Sequence, residues 1–198
     1  NNTQKLINLF FKKQNMKKKS LSAKKTIHKK LLINLEDPLI NKIYKDFNNF
    51  IQINLKNSNF SVAISGGVDS LALAYFSKCY SILNNVSVKF YHIDHKLRKD
   101  SSKEAKQLNF LLQKFDINCK ILSWKEKKPK SNIQSLARKK RYNLIYKECL
   151  KDKINYIFVA HHLDDLYENF VIRLLRGSGL KGLVSFNQTK INYNNKLK

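Results

Sequence analysis

Two glycines stand side by side in Ser65-Gly66-Gly67-Val68-Asp69-Ser70, in a chain that has only five. An apolar run, "FSVAIS" at 60–65, leads into them, and a helical pattern, "VDSLALAYFSKCYSIL" at 68–83, leads away. Glycines at such a junction lack a Cβ, so the backbone turns tightly and approaches a ligand closely. The helix beyond offers unpaired N–H groups and the positive end of its dipole. Ser65 and Ser70 add hydroxyl donors, and the natural occupant is a phosphate or pyrophosphate. Asp69 is awkward beside a polyanion unless it works through a cation such as Mg²⁺. The loop has neither the G-x-x-x-x-G-K-[ST] nor the G-x-G-x-x-G spacing. A strained turn with a capping Asp and Ser is the competing explanation.

The elements around this loop recur in a regular order. "VSVKFYHID" (86–94) reads as a strand and "SSKEAKQLNFLLQKF" (101–115) as a helix that Ser101 or Ser102 caps. "NCKILSW" (118–124) is a strand, and "NIQSLARKKRYNLIYKECL" (132–150) a long amphipathic helix. "NYIFVA" (155–160) is a strand, followed by a helix over 162–176 that stops at Gly177. Four strand–helix units in succession imply an α/β fold of Rossmann-like type, a parallel sheet with helices on both faces. Such sheets bind ligands beyond the carboxyl ends of their strands. That singles out residues 65–70, 94–98, Trp124 and 161–165.

Composition bounds the partners. The net charge is +25, and of 39 basic residues only five are Arg, while Asn numbers 23. A Lys- and Asn-rich, Gly- and Arg-poor chain is what an AT-rich gene writes on tolerant surfaces, so the charge speaks only of nonspecific partners. Cys79, Cys119 and Cys149 lie far apart, against a zinc or iron–sulfur site and for a reducing compartment. No apolar run reaches the roughly 18 residues of a membrane span. Residues 1–35 hold ten lysines and no acid. They resemble an organelle-targeting peptide, but a solvated or disordered extension is the favoured reading. We therefore expect a Lys-rich extension over 1–55 and a nucleotide-binding domain over 56–198.

S-G-G-x-D-S resembles the loop of the ATP pyrophosphatases, which cut ATP between its α and β phosphates. Three further stretches narrow the resemblance: "IDHKLR" (93–98), "NIQSLARKKRY" (132–142) and "AHHLDDLYENFVIRLLRGSGLKGL" (160–183). In this order they resemble the tRNA(Ile)-lysidine synthetases, over roughly residues 60–183. The resemblance implies an adenine nucleotide alpha hydrolase-like fold and a two-step ligation using ATP and Mg²⁺. ATP adenylates the carbon-2 oxygen of the wobble cytidine in an isoleucine tRNA with a CAU anticodon, releasing pyrophosphate; the ε-amine of free lysine then attacks that carbon and expels AMP to leave lysidine, so that the tRNA reads AUA.

The resemblance also assigns roles. Ser65, Gly66, Gly67, Val68, Asp69 and Ser70 would hold the nucleotide, with Asp94 and His95 contacting it from past the second strand, where a satisfied turn is the alternative. Arg138 and Arg141, three apart on one helix, would meet charge on the α-phosphate or grip tRNA; a solvated helix face competes. His161, Asp165 and Glu168 fall at i, i+4 and i+7, with Asp164 beside them. Carboxylates there would hold a cationic lysine and a His or carboxylate would accept its proton. Mg²⁺ on Asp164-Asp165, acids at a helix start, and a weak His161-His162 zinc site are the alternatives. Arg173 and Arg176 precede the Gly177-Ser178-Gly179 turn, which either meets substrate or caps the helix. Trp124 and its neighbouring lysines either stack a base or close a strand end.

The C-terminal Asp-x-Ser-Asn and tRNA-gripping parts of that family are not visible in these 198 residues. A tRNA thiolation enzyme and a decayed RNA-binding remnant are the rival functions. An organelle gene, mitochondrial first, or a reduced bacterium or plastid, is the expected setting.

Overall fold

The structure, a computed structural model, describes residues 21–94, 96, 100–123 and 133–160, with backbone only for Leu21 and residues 133–141. Two helices come first: α1 (Leu21–Ile33) and, after a 3₁₀ turn at Asn34–Glu36, α2 (Pro38–Leu55). Then follow β1 (Phe60–Ile64), α3 (Val68–Asn84), β2 (Val88–Asp94), α4 (Ser101–Lys114), β3 (Cys119–Ser123), α5 (Ile133–Lys151) and β4 (Ile157–Val159). All the strands pair in parallel, in the order β3-β2-β1-β4.

That order has a direct cause in the crossovers. The chain steps outward from β1 through β2 to β3, then returns across the sheet to lay β4 on the other side of β1. Right-handed connections put α3 and α4 on one face and α5 on the other. The packing agrees. Phe60, Val62, Ile64 and Phe90 face Leu71, Phe76, Tyr80, Leu108 and Leu112 in one core. Tyr91, Ile93 and Leu122 face Ile145 and Cys149 in the second. Alternate residues of each strand thus serve opposite layers, as the two-residue strand period requires. The reversal of strand order lies between β1 and β4, which is where a ligand crevice opens.

The N-terminal helices overturn one expectation. From residue 21 onward the chain is not a solvated extension. Leu31, Leu35, Ile40, Tyr44, Ile51 and Leu55 are buried in the same core as β1 and α3. In α2 the core positions recur at helical spacing, and the start is explicit: Asp37 accepts from the N–H groups of Leu39 and Ile40 at 3.1 and 3.3 Å, with Pro38 in the first turn. Tyr75 of α3 donates to the Leu31 carbonyl at 2.9 Å. His28 and Lys78 both meet one oxygen of Asp116, at 2.9 and 3.0 Å, just before β3. Composition missed this because lysines cover only the outer face of α1.

Among the described residues, six other than glycine hold left-handed backbone: Lys56, Asn57, Asn85, Lys96, Asp116 and Lys153, with φ between 47 and 60°. Asn85 ends α3 and Lys56 ends α2, positions where glycine is the commonest residue. Among the described residues no helix is long and apolar enough to cross a membrane.

Candidate nucleotide site

The loop between β1 and α3 sits at the carboxyl end of the central strand. Gly66 has φ +96°, beyond the left-handed well that Asn or Lys occupies elsewhere in this chain. A side chain there is strained whatever the space around it. Gly67 is different. Its φ is −72° and a Cβ would meet only Ser65 Oγ at 3.5 Å, an ordinary contact. Among the described residues no contact demands glycine at 67, although it is the N-cap of α3, where glycine is favoured over alanine. Bareness at that position is useful to something that approaches from outside.

Ser70 is 3 % exposed and stitches the loop together. Its hydroxyl donates to the Gly67 carbonyl at 2.7 Å and lies within 3.2 Å of the Ser65 and Gly66 N–H groups and of Ser65 Oγ. Ser70 thus holds the loop in its tight turn. Ser65 is exposed, and its oxygen receives the Gly67 N–H at 3.3 Å. The start of α3 has no side-chain cap. Its first-turn N–H groups therefore have no intrahelical partner, and they point with the helix dipole out of the loop. Val68 and Asp69, half-buried, form that first turn.

Asp94 is 3 % exposed, and both its oxygens are engaged. Ser102 donates to one at 2.6 Å, and the Lys96 N–H to the other at 2.9 Å. Burial pushes its carboxyl upward, but these hydrogen bonds, with help from Ser101 and the Lys96 charge, hold it below the usual range. An acid so satisfied organises the turn into α4.

A cavity of about 100 Å³ opens beside the loop, at the strand-order reversal. Ala63, Ile64 and Ser65 of β1 and its loop, His92 of β2, Tyr142 of α5 and Ala160 after β4 help to line it. His92 and Tyr142 were not among the expected site residues. His92 could have been found as the polar interruption of an apolar strand two residues before Asp94. Tyr142 closes the quoted "RKKRY" stretch, and its place on the cavity brings α5 to the site. Arg138 and Arg141 occupy helical backbone one turn and one residue before it; their side chains lie outside the described residues. So do His95, Trp124, His161, Asp164, Asp165, Glu168, Arg173 and Arg176.

Comparison with known proteins fits this geometry. A family model described as the PP-loop domain matches residues 12–198. The chain belongs to the PP-loop family. The match includes the loop Ser65 to Ser70 and begins ahead of α1, in keeping with helices that share the core. The chain is similar to the tRNA(Ile)-lysidine synthase of Orientia tsutsugamushi, 40% identical over 132 residues, which cover 67% of this chain and 30% of that protein. It is 37% identical over 149 residues to the same-named protein of Rickettsia rickettsii, covering 75% and 31%. For that of Wolbachia pipientis the figures are 40% over 134 residues, 65% and 30%. The PP-loop chain thus spans less than a third of these relatives' length. They are bacterial, and the mitochondrial expectation finds no support in them. In fold the chain resembles a U34-tRNA thiolase, NcsA from Methanococcus maripaludis, with TM-score 0.55 at 16% identity, over 71% of this chain and 53% of that one.

Proposed function

We propose that this PP-loop chain carries the ATP-using, adenylating part of a tRNA(Ile)-lysidine synthetase, in a bacterial rather than a mitochondrial setting. The observation that carries the reading is Gly67: a helix start with no side-chain cap and a glycine that no contact among the described residues demands, beside a loop already locked by Ser70. These are the parts of a phosphate seat that a ligand completes.

In the first step, α3's N-terminus and the loop backbone bind and orient the leaving pyrophosphate of ATP. Mg²⁺ would neutralise phosphate charge, with Asp69 the residue to hold it. Arg138 and Arg141 would meet the charge that develops on the α-phosphate as the carbon-2 oxygen of the wobble cytidine is adenylated. In the second step the ε-amine of free lysine displaces AMP. Asp164, Asp165 and Glu168 would hold its cationic groups, and His161 or Asp165 would take the proton. Arg173 and Arg176 would face the isoleucine tRNA with its CAU anticodon.

The thiolation rival fares poorly against the cysteines. Cys79, Cys119 and Cys149 are all buried. Burial pushes the Cys79 and Cys119 thiols up to about 12, where thiolate chemistry is shut down. A decayed RNA-binding remnant would keep Gly66 for its backbone but has less use for a bare Gly67.

Pyrophosphate release from ATP with an isoleucine tRNA transcript tests the reading. The 198-residue chain should release it and Asp69→Ala should not, with tRNA affinity kept within about threefold. Undiminished release by Asp69→Ala would overturn the loop assignment.

A further inference from the structure

His92 sits at the carboxyl end of β2, level with Ile64 in the sheet. Its Nδ1 lies 2.8 Å from the Ile64 carbonyl oxygen, the last of β1 before the loop. A carbonyl only accepts, so Nδ1 carries the proton, and in the neutral ring Nε2 is left with a bare lone pair. Among the described residues Nε2 has no hydrogen-bond partner, although the side chain lines the cavity beside the loop. The fold has therefore fixed the tautomer and reserved an acceptor.

The walls say what that acceptor receives. Ala63, Ile93, Val159 and Ala160 are apolar, and no carboxylate lines the cavity among the described residues. An ammonium group would be stranded there. A nucleoside, with flat apolar surface and a few neutral N–H and O–H donors, suits it. Ser65 and Ser70 at the rim put the phosphates of the same nucleotide next door.

We infer that His92 is a specificity-determining residue of the nucleotide site: its Nε2 accepts a hydrogen bond from a neutral donor on the nucleoside half, the exocyclic amine of adenine or a ribose hydroxyl. The inference rests on the ATP reading above. A guanine or hypoxanthine base offers an oxygen where adenine offers the amine, and two acceptors face to face repel.

Calorimetric titration of the 198-residue chain with ATP, ITP and 2′-deoxy-ATP separates the possibilities. ITP lacks the amine and 2′-deoxy-ATP one hydroxyl. The unaltered chain should prefer ATP over one of the two analogues by about tenfold, the worth of one neutral hydrogen bond. His92→Asn keeps an N–H where Nδ1 stood, for the Ile64 carbonyl, but has nothing in place of Nε2. It should retain the thermal midpoint, lose about tenfold in ATP affinity and lose that preference. A purely structural His92 behaves otherwise: Asn would restore ATP binding and preference, or all three nucleotides would weaken equally. Either result would overturn the inference. If the unaltered chain binds no nucleotide, the ATP reading itself falls.

Discussion

At the carboxyl end of the sheet, Ser65 and Ser70 spend their hydrogen bonds on the loop backbone and on each other, and Asp94 spends its own on Ser102 and the Lys96 N–H; what they build is a pair of tight turns, one of them beside an open cavity. At the amino end, His28, Lys78 and Asp116 form a cluster in which each charge meets another and α1 is tied to α3 and β3. One set of polar residues shapes a place for something absent from the chain. The other finishes the chain. The lesson is that satisfaction alone does not mark a polar residue as structural or functional; what matters is what its bonds leave exposed.

Mutation can break this contrast, beginning with a position that should ignore it. Ile51→Ala empties a fully buried site of α2 and should cost about 2–5 kcal/mol in urea unfolding. ATP binding by the molecules still folded should be unchanged. Asp116→Ala leaves Lys78 half-stranded and should cost about 1–3 kcal/mol, again without a change in nucleotide affinity. A loss of affinity there would mean that the two ends are coupled.

The same cluster predicts a pH dependence. Burial raises the Asp116 carboxyl, but hydrogen bonds and charge from His28 and Lys78 outweigh it and the net shift is downward. Its stabilisation is therefore complete above the unfolded value, about pH 4, and fades as pH falls through the lower folded value. The Asp116→Asn variant should lose less of its melting temperature between about pH 5 and pH 3 than the unaltered chain does.

The glycines sharpen the contrast further. Gly66→Ala forces a side chain into φ +96° and should cost about 1–2 kcal/mol. Gly67→Ala should leave stability within about 0.5 kcal/mol yet lower pyrophosphate release at least tenfold. If Gly67→Ala instead unfolds the protein and keeps its activity, the argument for an external occupant fails.

Much of this was legible before any coordinates. The alternation of strands and helices from Phe60 to Ala160 was placed to within two or three residues, because hydrophobic period and turn residues agree there. The helix expected over 162–176 lies outside the described residues. Helices α1 and α2 went unread, though Asp37-Pro38 followed by core residues at Ile40, Tyr44, Ile51 and Leu55 is a start signal with helical period. Lysine density drew attention to charge and away from spacing. At the site, the sequence located the loop and both glycines but could not tell their reasons apart, since φ is not written in residue type. The internal bonds of Ser70 and Asp94 were not legible, because side-chain chemistry announces capacity while the partner that uses it depends on the fold. His92 was missed for the converse reason: its value lies in a tautomer set by a carbonyl 28 positions away.

The left-handed residues carry a practical consequence. Lys56, Asn85, Lys96 and Lys153 occupy a conformation that an unbranched backbone adopts without resistance, and each holds back about 1 kcal/mol for a lysine and somewhat less for an asparagine. A hardier version of the protein is thus already sketched in its turns: replacing Lys56 and Lys153 with glycine should raise its melting temperature without touching a single packed contact. The gene's nucleotide leanings, on this view, are recorded in the protein as a small and reversible loss of heat tolerance.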